Sequence, residues 1–195
     1  MNRICQLSRK TGETDVKLDL NLDGEGKNNI DTPSGFFNHM LTLFSRHSLI
    51  DLDINAAGDV DVDFHHLVED TGIVLGKAVL SALGDKKGIN RYGSFYVPMD
   101  EALGFCSIDI SGRPFLVFDA EFDAKKVGNF DVELVEEFFR GFVNNAQITT
   151  HVRVVYGKNT HHMIEAIFKA FGRALRQAIS FDTREKGLPS TKGIL

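Results

Sequence analysis

An internal repeat restricts the fold of this chain more than any other feature. Residues 63–69 read Asp-Phe-His-His-Leu-Val-Glu, and residues 159–165 read Asn-Thr-His-His-Met-Ile-Glu, so the two segments align position by position. Paired phenylalanines open a shorter apolar helix ahead of each segment, beginning at Phe36 and at Phe138. Two copies of a unit that each expose an apolar sheet face bury that face against their own helices. The repeat therefore predicts an internally duplicated, β-rich unit with two helices.

The predicted elements follow the same order in both halves. Alternating apolar residues indicate strands, and apolar residues three and four apart indicate helices. The predicted strands are 4–8, 16–22, 49–55, 94–98, 102–110, 115–122 and 149–156, and the predicted helices are 36–44, 64–83, 132–144 and 161–179. We expect an α/β (α+β) fold with sheets packed on helices. It would form a single domain over residues 1–195, with repeats of about 1–90 and 91–182 and a tail at 183–195.

The composition excludes several classes of protein. The formal net charge of -5 argues against a sequence-independent grip on nucleic acid, which needs a basic surface. No apolar run approaches the roughly 20 residues that span a bilayer, and the N-terminal residues lack the apolar stretch of a secretory signal. Two cysteines, Cys5 and Cys106, are too few for a disulfide scaffold and are expected to be buried free thiols. We therefore expect a cytoplasmic protein with no membrane or nucleic-acid partner.

Each histidine pair is predicted to lie in the first turn of a long helix, because Asp63 and Asn159 are favourable N-cap residues. Successive helical residues point about 100° apart, so adjacent histidines cannot easily bind one ion. Residues four apart share a face, which pairs the first histidine of each motif with its glutamate. The three-residue spacing from the second histidine to the same glutamate is also a known ligand spacing. The pattern thus predicts metal ligands and leaves their division between ions open.

Two isolated histidines complete a predicted ligand set of six histidines and two glutamates. The eight residues are His39, His65, His66, Glu69, His151, His161, His162 and Glu165. Imidazole and carboxylate ligands with vacant positions suit Mn²⁺, Fe²⁺, Co²⁺ or Zn²⁺ in a catalytic site. A single His-x-x-x-Glu pair on a helix is usually an ordinary surface pair, whereas two copies in one duplicated frame favour a metal site.

A second set of residues suits a phosphate group. Arg91, Arg113 and Lys169 are cationic, and residues 186–193 combine glycines, hydroxyls and lysines. Backbone N–H groups and charge-assisted hydrogen bonds of this kind bind phosphate, although each such residue alone is more often a solvated surface charge. Three carboxylates in predicted turns, Glu13, Asp100 and Glu101, are candidates for functional groups or for solvated loop charges.

Taken together, these motifs resemble those of the imidazoleglycerol-phosphate dehydratase family over essentially the whole chain. The matching motifs are Phe37-x-His39-Met40-Leu41, Asp63-x-His65-His66-x-x-Glu69-Asp70, Asn159-x-His161-His162-x-x-Glu165, Gly-Leu-Pro-Ser-Thr-Lys-Gly at 187–193, and shorter matches at 20–24, 90–93 and 111–114. One departure is that Thr42 and Leu43 stand where many family members have Asp-Gln.

The resemblance implies a fold similar to domain 2 of ribosomal protein S5 and a hydro-lyase of histidine biosynthesis. The substrate would be the small imidazole sugar phosphate D-erythro-imidazoleglycerol phosphate, converted to imidazole-acetol phosphate plus water. Two Mn²⁺ ions per active site would be implied, and we hypothesise that they hold the substrate ring as an imidazolate. The chain would form a homo-oligomer, in which trimers assemble into a 24-mer.

The resemblance also implies roles for single residues. One ion would be held by His39, His66, His161 and Glu165. The other would be held by His65, Glu69, His151 and His162, with ligands drawn from different subunits. The catalytic carboxylates would be Glu13, Glu69 and Glu165, with Glu13 as the acid/base from a neighbouring chain. The residues that bind phosphate in the substrate would be Arg91, Arg113, Lys169, Ser190, Thr191 and Lys192.

Two other functions are compatible with the same motifs. A shell or store assembled around metal would fill every coordination position and need no phosphate pocket. A two-metal phosphoester hydrolase would rely on bridging carboxylates, and two glutamates among eight ligands count against it.

Overall fold

The first half of the chain folds as a sheet with two helices. The structure, a computed structural model, describes residues 3–195, so that Met1 and Asn2 of the N-terminal segment lie outside the described residues. The elements of this half are β1 (Ile4–Lys10), β2 (Thr14–Asn21), β3 (Asn28–Asp31), α1 (Gly35–Ser48), β4 (Asp51–Gly58) and α2 (His65–Leu83).

The second half repeats this order and adds a small hairpin. Its elements are β5 (Tyr92–Met99), β6 (Ala102–Asp109), β7 (Phe115–Asp119), β8 (Lys126–Val127), β9 (Phe130–Asp131), α3 (Leu134–Ala146), β10 (Thr149–Tyr156) and α4 (Thr160–Ile179). The two four-stranded sheets have the equivalent orders β1-β2-β4-β3 and β5-β6-β10-β7. In each sheet one strand pair, β3 with β4 or β7 with β10, is parallel and the others are antiparallel. The predicted duplication is therefore confirmed.

The helices of the two repeats interleave in one layer. Helix α1 of the first repeat packs on α4 of the second, and α2 of the first packs on α3 of the second. Each sheet turns alternate side chains towards this layer, as the burial of Val16, Leu18 and Leu20 along β2 illustrates. The layer is filled by fully buried phenylalanines, namely Phe37, Phe44, Phe138, Phe139, Phe142, Phe168 and Phe171. The interleaving brings the first turn of α4 next to α1.

The structure corrects several predicted details. The polar strand β3 and the short hairpin of β8 and β9 were not predicted, because their residues show no extended apolar alternation. The N-cap residue of α2 is Phe64 rather than Asp63, although the Asp63 carboxylate still accepts a hydrogen bond from the His65 N–H at 2.7 Å. Cys106 is buried and Cys5 is half-buried, and neither forms a disulfide. No helix within residues 3–195 has the length and apolar character needed to cross a membrane.

We predict that Gly76→Ala destabilises the protein by about 1–3 kcal/mol through overpacking at the crossing of α2 and α3. A Cβ atom on Gly76 would lie 2.4 Å from the Phe142 carbonyl oxygen, which is backbone and cannot move aside. Urea unfolding would measure the change in free energy. The matched control is Gly35→Ala in α1, where no atom lies within 4 Å of the added carbon. Equal stability of the two variants would contradict this account of the helix crossing.

Candidate active site

Three predicted ligands meet where α1 crosses the first turn of α4. The His161 Nε2 atom lies 3.3 Å from Glu165 Oε2, as expected for residues four apart on one helix. Helix α1 contributes His39, whose Nε2 atom lies 3.7 Å from the same oxygen. The potential ligand atoms of the three residues all lie within 4.8 Å of one another. Two imidazoles and a carboxylate thus converge on one point at the junction of the repeats.

The Glu165 carboxylate is held in its charged form by a neighbouring lysine. Its side chain is 9% exposed, and Lys169 Nζ lies 2.7 Å from its Oε1 atom. Burial by itself would raise the pKa of Glu165, but the hydrogen bond and charge of Lys169, together with His39 and His161, bring it below the usual value. One carboxylate oxygen therefore faces a cation and the other faces the two imidazoles.

The second histidine of the first pair has two carboxylate neighbours. His66 Nδ1 lies 3.1 Å and 3.2 Å from the two oxygens of Asp59, which directly follows β4. Its Nε2 atom lies 3.9 Å from Oε1 of Glu13, which is exposed at the turn between β1 and β2. The hydrogen bond with Asp59 is the largest of the effects that raise the pKa of His66. The turn that carries Glu13 therefore lies beside the start of α2.

A buried carboxylate fastens this turn to the helix. Asp70 on α2 accepts a hydrogen bond from the Thr14 hydroxyl and forms an ion pair with Arg9 of β1. Asp70 is 6% exposed, so both contacts lie in the interior, where electrostatic interactions are stronger than in water. The contacts join the hairpin of Glu13 to the helix of His65 and His66.

The second histidine of the other pair is held in a similar way by a different element. His162 Nδ1 lies 2.8 Å from Glu101 Oε2, and Glu101 is in the turn between β5 and β6. The other oxygen of Glu101 accepts backbone hydrogen bonds from Lys158 and Asn159 at 3.2 Å and 2.7 Å. These contacts, with His162 the largest, lower the pKa of Glu101 to about 2. Asn159 is the N-cap of α4, as predicted, and accepts from the N–H groups of His161 and His162.

The rings of each adjacent pair diverge as the helical geometry predicted. The ring planes of His65 and His66 are 87° apart, and those of His161 and His162 are 84° apart. Among the residues the structure describes, the cluster of His39, His161 and Glu165 is the single group of three that could share an ion. The other five predicted ligands, His65, His66, Glu69, His151 and His162, are not brought together within one chain.

Among the described residues, the first motif has no counterpart of this cluster. Helices α1 and α3 end at equivalent left-handed residues, Leu49 and Gln147, so equivalent positions of the two helices differ by 98. The position equivalent to His39 is therefore Glu137, which lies 3.7 Å from Arg140 on its own helix. The prediction that Phe138 opens the second short helix is wrong, because α3 begins at Leu134.

Five of the six predicted phosphate residues line one cleft of about 590 Å³. They are Arg91, Arg113, Ser190, Thr191 and Lys192. The sixth, Lys169, lies outside the lining of this cleft and pairs with Glu165. Arg91 holds the C-terminal tail in place, because its Nη1 donates to the Pro189 carbonyl oxygen at 2.9 Å while Asp109 binds its other nitrogens.

Sequence reasoning missed Asp59, and it noted Asp70 and Leu43 without their contacts. Asp59 went unnoticed because a loop carboxylate seven residues before a histidine has no fixed direction. Asp70 was noted as part of the motif, but its contacts with Arg9 and Thr14 join elements far apart in sequence. Leu43, at the position where many family members carry a glutamine, is half-buried and packs against the core.

The fold and the site define an internally duplicated α/β protein with a histidine–carboxylate cluster at the junction of its repeats. The model of the imidazoleglycerol-phosphate dehydratase family matches residues 32–175. The chain therefore belongs to the imidazoleglycerol-phosphate dehydratase family, and the predicted assignment to an enzyme of the dehydratase class is confirmed.

Relatives and solved structures agree over nearly the whole chain. An imidazoleglycerol-phosphate dehydratase of Acetivibrio thermocellus is 60% identical over 195 residues, which is 100% of both chains. The crystal structure of the Staphylococcus aureus enzyme has a TM-score of 0.84 and 49% identity, covering 92% of this chain and 99% of that one. The Pyrococcus furiosus enzyme, solved in complex with (S)-C348, has a TM-score of 0.83 and 36% identity, covering 97% and 100%.

We predict that Arg91→Ala loosens the C-terminal tail and speeds amide hydrogen exchange in residues 186–195 by about 10–100-fold. The variant loses a hydrogen bond from a charged donor to Pro189, a contact that contributes roughly 1.5–3 kcal/mol. Mass spectrometry of exchanged peptides would measure the effect. Arg184→Ala serves as the control, because the Arg184 side chain is 90% exposed and pairs locally with Asp182. Unchanged exchange in Arg91→Ala would contradict the tethering role.

Proposed function

We propose that the protein converts D-erythro-imidazoleglycerol phosphate to imidazole-acetol phosphate and water, as a carbon–oxygen lyase of histidine biosynthesis in the cytoplasm. The observation that carries this proposal is the convergence of His39, His161 and Glu165 on one point in a chain of this family. The reaction is inferred from membership of the family, and the converging residues are the proposed metal-binding site.

The donor set fits manganese. Neutral imidazoles and an ionised carboxylate suit Mn²⁺, and Lys169 keeps Glu165 ionised. We propose that two ions are held per active site. His39, His66, His161 and Glu165 would bind one ion, and His65, Glu69, His151 and His162 would bind the other. Because three of these eight residues form a group within one chain, the remaining ligands of each proposed site would come from neighbouring subunits. We therefore propose a homo-oligomer, built from trimers that assemble into a 24-mer.

The residues of the chain then have distinct tasks in the proposed reaction. Bound metal would supply Lewis acidity towards the imidazole ring of the substrate. Arg113, Ser190, Thr191 and Lys192 line the cleft that would hold the phosphate, with Arg91 anchoring the tail that forms one wall. Phosphate binding remote from the reacting carbons contributes to positioning the substrate.

Proton transfer is assigned to Glu13. Its exposed carboxylate can reach a substrate bound between subunits, and its Oε1 atom lies 3.9 Å from a proposed metal ligand, His66. We propose that Glu13 accepts the proton from the carbon adjacent to the one that loses its hydroxyl. Loss of that proton and of the hydroxyl, which departs as water, leaves an enol that becomes the ketone product. Glu69 and Glu165 act as ligands in this scheme.

We predict that removal of metal abolishes turnover of imidazoleglycerol phosphate, and that added Mn²⁺ restores both turnover and a large particle. Turnover should be lost because the metal would supply the Lewis acidity of the reaction. The particle should return with Mn²⁺ because one chain brings together three of the proposed ligands, so that bound ions would link subunits. Activity and light scattering would be recorded on the same metal-stripped sample before and after Mn²⁺ is added. Reassembly without consumption of substrate would assign the ions to a structural shell or a metal store. Release of inorganic phosphate would assign the protein to the two-metal hydrolases.

We predict that Glu13→Gln lowers turnover by about 10²–10⁴-fold and leaves the manganese content unchanged, because the amide cannot accept the proton. Turnover and bound Mn²⁺ would be measured on the same preparation. The control is Glu25→Gln, which changes a loop glutamate whose side chain is 76% exposed. If Glu13→Gln lost manganese in proportion to its activity, the acid/base role would be wrong.

A further inference from the structure

Two glutamates occupy equivalent positions in the two repeats and make different contacts. Glu13 directly precedes Thr14, the first residue of β2, and Glu101 directly precedes Ala102, the first residue of β6. Both therefore lie at the turn of the first hairpin of their repeat. The Glu13 side chain is 58% exposed, whereas the Glu101 carboxylate is engaged at both oxygens.

The contacts of Glu101 determine which nitrogen of His162 can bind a metal. An ionised carboxylate accepts hydrogen bonds and cannot donate them, so the Nδ1 atom of His162, 2.8 Å from Oε2, must carry the hydrogen. The lone pair of the neutral ring then lies on Nε2. The other oxygen, Oε1, accepts from the backbone N–H groups of Lys158 and Asn159. Glu101 is thereby fixed relative to the helix that carries His162.

The first repeat reaches the same arrangement from a different element. There the carboxylate on Nδ1 is Asp59, at the end of β4, with both oxygens within 3.2 Å of the His66 ring nitrogen. In both repeats, therefore, the second histidine of the pair has a carboxylate on Nδ1 and presents Nε2. Two unrelated sequence positions supply the same contact, which indicates that the contact itself is required.

We infer that Glu101 and Asp59 are positioning residues, which fix the tautomer and ring direction of His162 and His66 so that Nε2 is the metal-binding atom. This inference rests on the proposed function, because it takes both histidines to be ligands. Carboxylates that bind the second nitrogen of a ligating histidine typically contribute a factor of about 10–100 to metal affinity. Of the two equivalent turn glutamates, Glu101 would therefore position a histidine, and Glu13 would transfer the proton.

Glu101→Gln separates positioning from a merely structural role. In this variant the side-chain carbonyl oxygen still accepts from Lys158 and Asn159, while the new amide nitrogen replaces Oε2 and donates to His162 Nδ1. The ring hydrogen must then move to Nε2, the wrong tautomer for binding metal. We expect the Mn²⁺ affinity of the metal-stripped full-length protein, titrated by electron paramagnetic resonance, to fall by about 10–100-fold at one class of sites. The unfolding temperature of the metal-free variant should stay within about 2 °C of wild type, because the amide has the shape of the carboxylate and keeps both backbone hydrogen bonds.

The matched control is Glu25→Gln, the same chemical change at an exposed loop glutamate, which should bind Mn²⁺ as wild type does. Asp59→Ala provides a second test in the first repeat, since its side chain makes no backbone cap among the described contacts; we expect about a tenfold loss of affinity. Wild-type affinity in both Glu101→Gln and Asp59→Ala would overturn the positioning role while leaving the metal proposal intact. Failure of the wild-type protein itself to bind Mn²⁺ at a fixed stoichiometry would overturn the proposed metal sites and this inference with them.

Discussion

The packing of α1 on α4 is the contact on which the rest of the site depends. It is a contact between repeats, since α1 belongs to the first and α4 to the second. It places His39 against Glu165 and leaves the first turn of α4, with its paired histidines, at the edge of the helical layer. A duplicated chain whose helices packed only within their own repeat would keep these donors apart. The interleaved helices therefore act both as the core of the fold and as the frame of the site.

The two repeats have kept one framework and diverged at the positions that carry chemistry. Where α1 has His39, α3 has Glu137, which lies beside Arg140 of its own helix. Where α2 has Asp70, which fastens the first hairpin, α4 has Ala166, and the second hairpin is fastened by its own Glu101 instead. Each repeat thus attaches its first hairpin to its long helix through a different carboxylate. As a result, the turn carboxylate of Glu13 stays exposed, whereas that of Glu101 is hydrogen-bonded at both oxygens.

The local parts of this arrangement could be predicted from sequence, and the relations between distant elements could not. Residues 149–156 were predicted as a strand with the observed bounds, and the four-residue spacing predicted the contact of His161 with Glu165, because both follow from the geometry of a single element. The partition of the ligands stayed open because it depends on which helix packs beside the motif. Strand β3 was missed because Ile30 is its one apolar residue, and its place is set by pairing with β4.

The electrostatics of Glu165 explain why a carboxylate can be buried at a crossing of two apolar helices. Removing a charge from water is costly unless a partner compensates, and Lys169 on the next turn of α4 provides that partner on one oxygen. Among the described contacts, no lysine or arginine pairs with the second oxygen, which instead faces the imidazole rings of His39 and His161. A divalent ion at this point would satisfy that oxygen and both rings together. The Glu165 carboxylate is therefore both part of the packed helix crossing and a proposed metal ligand. Without metal, its charge is compensated by Lys169.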